Sequence, residues 1–151
     1  MSSIELDIKD QIATLTLNNP GKLNAIDLGM WRQISENMAR LSVDRGIRCI
    51  VIRGAGQDAF AAGGDLEEFV TARSTLEQAV HYHGEVAAAL NAIADCPHPT
   101  IALIRGACIG GGLEIAGACY LQTGEFDKAI NQLKSFGAQG ILVIPIEKMI
   151  L

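Results

Sequence analysis

The chain has 151 residues, 49% of them hydrophobic and 19% charged, enough apolar material to bury the core of one ordinary domain, which argues against intrinsic disorder. A net charge of −5 with no clustered Lys or Arg argues against a nucleic-acid surface, and every long apolar run is broken well short of a membrane span. The start, Met1-Ser-Ser-Ile-Glu-Leu-Asp7, lacks the basic region and apolar run of a signal peptide, so the expectation is a cytoplasmic protein whose Cys49, Cys96, Cys108 and Cys119 are reduced and buried.

Ile4 to Ile8 alternate apolar and polar residues and Ile12 to Leu17 is a β-rich run, so the chain opens with a hairpin turning at Lys9-Asp10. Asp27 then caps a helix of about four turns marked by Trp31, Ile34, Met38 and Leu41 at helical spacing. Ile47 to Ile52 reads as a buried strand, and Gln57 to Gly64 as a loop. Asp65 caps a short helix over Leu66 to Val70. A capping box of Ser74 and Glu77 opens a longer helix with Val80, Val86, Leu90 and Ile93 on or near one face, stopped by Cys96-Pro97-His98-Pro99. Thr100 to Ile104 is a second buried strand, followed by a glycine loop and a small-residue helix, Leu113 to Cys119. Helices interleaved with strands in this order predict an α/β arrangement in which helices cover a sheet.

Two of these junctions are alike. One strand leads into Ala59-Phe60-Ala61-Ala62-Gly63-Gly64-Asp65-Leu66, the other into Gly106-Ala107-Cys108-Ile109-Gly110-Gly111-Gly112-Leu113-Glu114, and both place glycines just before a helix. Without a Cβ, backbone N–H groups can approach a ligand oxygen, and the first amides of a helix lack internal partners. Two such ends converging would bind an oxyanion. A single glycine loop is more often only a tight turn or a close packing point, but the doubled context weakens that reading. Gly54 to Ala59 matches a GxGxxA pattern without the immediate helix of a dinucleotide site, and Gly106 to Gly112 lacks the Lys-Ser/Thr of a phosphate loop. His81 and His83, two apart on a helix, cannot share a ligand, so no metal is expected.

The same two segments resemble those of the enoyl-CoA hydratase/isomerase (crotonase) family, which read A-F-[SC]-A-G-[AG]-D-L and G-x-[AC]-x-G-G-G-x-E. Pro20-Gly21-Lys22-Leu23-Asn24-Ala25-Ile26 is similar to the family's early P-x-x-x-N-A-[LI] turn, and Pro99 to Arg105 to the strand before its second glycine loop. The four motifs occur in order between residue 4 and about residue 119. The resemblance implies the ClpP/crotonase fold, a spiral of ββα units, here incomplete. It implies an acyl-CoA thioester as substrate, with coenzyme A as part of that substrate and no permanently bound cofactor. By position, the oxyanion-hole amides belong to Gly64 and Gly111, the coenzyme A path runs past Asn24, Ala25, Ala62 and Gly63, and Glu114 matches one of the two catalytic glutamates. A carboxylate beside a thioester in a partly dry pocket can orient water or move the α-proton; an acidic residue in the first turn of a helix is also favoured simply by the dipole. Asp65 reads mainly as a helix cap.

After residue 119 the pattern changes. Tyr120 stands where the family has an aspartate, and Asn131 to Gly137, where a second catalytic acid is expected, contains none. The expected organisation is therefore a core over 1–119 and a divergent tail over 120–151, whose Ile141 to Leu151 is apolar enough for a strand or docking segment. A truncated or frame-altered chain would account for both, and would place the trimer implied by the resemblance, and turnover itself, in doubt. The alternative to an enzyme is a non-catalytic acyl-CoA-binding remnant or interaction module.

Overall fold

The computed structural model describes residues 1–121 of the chain, so the predicted tail lies outside the described residues. β1 (Ser3–Lys9) and β2 (Ile12–Asn18) form the expected antiparallel hairpin. Its two turn residues are Asp10 and Gln11, at φ 50° and 66°, one position later than the sequence suggests. Two consecutive left-handed residues match the strand twist of a tight hairpin. Helix α1 (Leu28–Ser42) follows, with the Asp27 side chain accepting from Met30 N–H at 2.8 Å, a cap contributing about 1 kcal/mol. Met30, Trp31, Ile34, Met38 and Leu41 are all buried.

β3 (Cys49–Gly54) pairs parallel with β2, and β5 (Thr100–Leu103) pairs parallel with β3, giving a four-stranded sheet in the order β1-β2-β3-β5. The sequence predicts β3 and the edge strand β5 to be buried throughout; only one face is. Ala13, Leu15, Leu17, Ile50 and Ile52 point into the core, whereas Ile101 and Leu103 of β5 are exposed. The period of two along a strand gives this result once helices cover one side of the sheet alone.

The stretch expected to be a plain loop contains β4 (Ala59–Ala61), fully buried, which pairs parallel with β6 (Ala107–Cys108) in a second, two-stranded sheet. Between them run α2 (Leu66–Ala72), with no fully buried residue, and α3 (Leu76–Ala94), which packs on α1 and on α4 (Gly111–Leu121). The element order is β1-β2-α1, β3-β4-α2-α3, β5-β6-α4, three successive strand-strand-helix units.

Three local expectations shift. The capping box of α3 uses Thr75 and Gln78 rather than Ser74 and Glu77: Thr75 is extended and accepts from Gln78 N–H at 3.2 Å, while Gln78 Oε1 accepts from Thr75 N–H at 3.1 Å. Val80 is 53% exposed, and the ring of Tyr82 is buried instead. Helix α4 begins at Gly111, not Leu113, because Glu114 N–H already bonds Gly110 C=O at 2.9 Å. Among the described residues no helix is long and apolar enough to cross a membrane.

Candidate active site

The parallel strands β3 and β5 run side by side, so the segments following them leave the sheet at the same end. They stay together. Ala107 N–H bonds Asp58 C=O at 3.1 Å and Ile109 N–H bonds Ala61 C=O at 3.0 Å, stitching the two loops through β4 and β6. The two backbones run close together, a Cβ on Gly110 lying in ordinary van der Waals contact at 3.5 Å from Gly63 Cα, and it is the φ of 108° at Gly63 and 50° at Gly110 that favours glycine. These are conformations that glycine alone adopts without strain.

A third segment joins them. Ala62 N–H bonds Leu23 C=O at 3.0 Å, Ile26 N–H bonds Gly63 C=O at 2.8 Å, and Asp65 N–H bonds Ile26 C=O at 3.0 Å, so Ile26 pairs in parallel with Gly64. The structure thus brings Asn24 and Ala25 alongside Ala62 and Gly63. Leu23 and Asn24 are held left-handed, at φ 49° and 58°. Asn24, 6% exposed, fixes this turn: its Nδ2 donates to Ala55 C=O and Ala59 C=O, both at 2.9 Å, and its Oδ1 accepts from Asn19 N–H at 3.3 Å. The Asn24 side chain is therefore spent inside the protein, and only its backbone is left to face a ligand.

Three backbone donors beside the two glycines are committed. Asp65 N–H is bonded to Ile26, Gly112 N–H to Ile109 C=O at 3.0 Å, and Glu114 N–H to Gly110. Among the described residues the N–H groups of Gly64 and Gly111 donate to no acceptor. Gly111 opens an eleven-residue helix, so its amide also lies at the positive end of the α4 dipole. Each glycine is backed by an aromatic ring: a Cβ on Gly64 would meet the tip of Phe69 at 2.6 Å, and one on Gly111 would meet Trp31 at 2.9 Å.

Glu114 stands in the first turn of α4 and is exposed among the described residues. Gly111, Ile115, Ala118 and Cys119 recur at helical spacing on the buried side and turn residue 114 outward. The stretch expected to lack a second acid, Asn131 to Gly137, lies outside the described residues.

Several groups near the site carry no local sequence signal. Asp65 is the α2 cap, accepting from Glu67 N–H at 3.1 Å, but it also binds Lys22 Nζ at 2.6 Å, and that hydrogen bond holds its carboxyl below the usual range. The same contact, with Glu67 at 2.7 Å, raises Lys22 above the ordinary lysine value. Glu68 Oε2 accepts from Leu28 N–H at 2.8 Å, and burial pushes its carboxyl up. The Tyr82 ring meets Phe69 edge-on at 5.5 Å, with the Arg73 guanidinium 4.6 Å from the Phe69 centroid. Burial pushes the Cys108 thiol up to about 11 and the Cys119 thiol up to about 12, so both stay protonated and unreactive at neutral pH. Among the described residues no group of three or more His, Cys, Asp or Glu side chains could hold a metal ion.

A family model described as "Enoyl-CoA hydratase/isomerase" matches residues 7–132. The chain is 36% identical to the enoyl-CoA hydratase/isomerase-type protein YngF of Bacillus subtilis, over 80% of this chain and 46% of that protein. It is 37% identical to the mitochondrial 3-hydroxyisobutyryl-CoA hydrolase of Bos taurus, over 76% of this chain and 30% of the relative. Among solved structures, an enoyl-CoA hydratase/carnithine racemase from Magnetospirillum magneticum superposes with a TM-score of 0.75 at 47% identity, covering 79% of this chain and 45% of that one. The chain thus spans half or less of the length of these relatives, and the part it spans has the crotonase fold.

Proposed function

Because this chain belongs to the enoyl-CoA hydratase/isomerase family, we propose that it binds an acyl-CoA thioester and stabilises the enolate-like charge that develops on the thioester oxygen, in hydratase or isomerase chemistry. The observation that carries this reading is the pair of uncommitted amides, Gly64 and Gly111, on loops fastened to each other, with the next amide along each loop, Asp65 and Gly112, bonded. Donors fixed before the reaction strengthen as negative charge grows on the oxygen, which lowers the barrier rather than only tightening binding. In this reading Glu114 moves the α-proton or orients water, and the backbone of Asn24, Ala25, Ala62 and Gly63 lines the coenzyme A path.

Loss of the conjugated absorbance of crotonyl-CoA tests it, with Gly111→Pro, which removes one donor, as the control. No turnover above that control, on folded protein, overturns the hydratase reading. The exposure of Glu114 favours a second reading, an acyl-CoA-binding module without turnover, which predicts calorimetric binding of acyl-CoA and an unchanged absorbance.

A further inference from the structure

We propose that His83 is a positioning residue of this site: its neutral ring holds Arg73 on the face of Phe69, Phe69 backs Gly64, and protonation of the ring loosens the wall behind that amide, so that the grip on a thioester oxygen weakens in acid. The inference rests on the acyl-CoA reading above.

Helix α2 has no fully buried residue, so a few contacts decide where it lies. Its start is tied by Asp65 to Lys22 and by Glu68 to Leu28 N–H. Its end is tied through Arg73, whose Nη2 lies 2.9 Å from His83 Nε2 on α3. A guanidinium only donates, so this contact requires a lone pair on Nε2 and therefore a neutral ring with its proton on Nδ1. The same guanidinium stands 4.6 Å from the Phe69 centroid and 5.3 Å from that of Tyr82, a cation–π arrangement that steadies both rings. Phe69 meets Tyr82 edge-on at 5.5 Å, and its tip fills the place of the missing Gly64 Cβ, which would lie 2.6 Å from it. Contacts thus run unbroken from His83 through Arg73 and Phe69 to Gly64.

The second arginine–histidine contact on α3 shows what His83 lacks. Arg32 Nη2 lies 2.7 Å from His81 Nε2, but Glu85 Oε1 is 3.7 Å from that nitrogen and 3.2 Å from Arg32 Nε, so a charged His81 keeps a partner. Among the described residues no carboxylate pairs with His83. Its neighbours one turn away on α3, Ala79, Val80, Val86 and Ala87, are uncharged, and burial raises the adjacent Tyr82 phenol, which stays protonated. From α1, Arg32 is engaged with His81 and Glu85, while Glu36 and Arg40 make no ion pair with α3. From α2, Glu67 and Glu68 are bonded to Lys22 and Leu28, and α4 carries only Glu114, which is exposed. Protonation of His83 therefore removes the acceptor and sets a second positive charge against Arg73 with no carboxylate to offset it. The clamp is closed while the ring is neutral and opens as pH falls.

Calorimetric titration of the full chain with butyryl-CoA, between about pH 8 and about pH 5.5, tests this, beside infrared difference spectra of the bound thioester carbonyl and thermal unfolding at each pH. The wild type should lose about tenfold in affinity toward acid, and the downward shift of the carbonyl band that marks its hydrogen bonds should shrink in step. His83→Gln, whose side-chain oxygen accepts from Arg73 at every pH, should hold the alkaline affinity and band across the range. Arg73→Met, which removes the clamp, should show the weak acid values throughout. A purely structural role would lower Tm and leave the carbonyl band of the folded protein in place, and that result overturns the proposal. So does a wild-type affinity that is flat with pH, or an acid loss that persists in His83→Gln. Wild-type protein that binds no butyryl-CoA at pH 8 overturns the acyl-CoA reading and this proposal with it, whereas binding at pH 8 with an unaltered acid profile in His83→Gln overturns this proposal alone.

Discussion

Gly63 and Gly110 meet backbone to backbone, each in a left-handed conformation, and a Cβ on Gly110 would lie 3.5 Å from Gly63 Cα. Two loops from distant parts of the chain therefore run side by side, and in each the next residue, Gly64 or Gly111, has an amide with no acceptor among the described residues. Substitutions along this seam should disturb the site and the fold together.

At Gly112 a Cβ would lie 2.7 Å from Ala61 C=O and 2.9 Å from Ala61 Cβ, so Gly112→Ala must push α4 off β4. The expected loss is ~1–3 kcal/mol in urea unfolding, as for other overpacked cores. Gly84, inside α3 with nothing within 4 Å of its missing Cβ, gives the opposite sign: Gly84→Ala should gain up to about 1 kcal/mol from helix propensity. Equal effects at the two positions would contradict the close contact at Gly112.

Asn24 combines a positive φ with three hydrogen bonds, so its two contributions can be separated. Asn24→Gly relieves the backbone but leaves Ala55 C=O, Ala59 C=O and Asn19 N–H without their partner. Asn24→Ala loses both. The order of stability should be wild type, then Gly, then Ala, with Ala down by about 3 kcal/mol. Denaturant midpoints at constant m-value measure it.

Asp65 and Lys22 set an acid limb of stability. The folded Asp65 carboxyl lies below its ordinary value of 3.8 through its Lys22 hydrogen bond. Its contribution is therefore complete above that value and is lost as pH falls through the depressed folded one. Asp65→Asn keeps a capping side chain and removes the charge, so it should flatten that limb, while Asp65→Ala should cost about a further 1 kcal/mol at neutral pH through the lost cap. Thermal unfolding from pH 7 to pH 2 checks both. An acid limb unchanged in Asp65→Asn would assign it to other carboxylates.

Glu114 is exposed, so Glu114→Gln should leave stability within about 0.5 kcal/mol of wild type. If its carboxylate handles the proton of the bound thioester, crotonyl-CoA turnover should fall by ~10²–10⁴. A stability change of about 0.5–1 kcal/mol with no change in turnover would mark it as a helix-dipole residue.

Local signals were legible wherever one residue decides one feature. Asp27 and Asp65 cap the helices they were expected to cap, and the apolar stripe from Trp31 to Leu41 is the buried face of α1. Ser74 and Thr75 are both competent caps, so a one-residue error cost nothing in pattern and only the backbone distinguishes them. β4 and β6 were missed because three and two residues cannot display a period; they exist through pairing of Ala59 with Ala107 and Ala61 with Cys108, far apart in the chain. Val80 reads as a core position from its apolar character and spacing, but it is exposed, and the buried residue on α3 is Tyr82, packed edge-on against Phe69. The resemblance carried over the glycines and Glu114, while the Lys22–Asp65 ion pair, made across 43 positions, had no local signature.

The bridge from Ile26 to the first glycine loop makes Ile26 a natural gauge of site occupancy. Its N–H and C=O hold Gly63 and Asp65 on either side of Gly64, and the residue itself is fully buried. Any ligand that steadies Gly64 must slow the opening of those two bonds, so hydrogen exchange at the amides of Ile26 and Asp65 reports binding without any turnover at all.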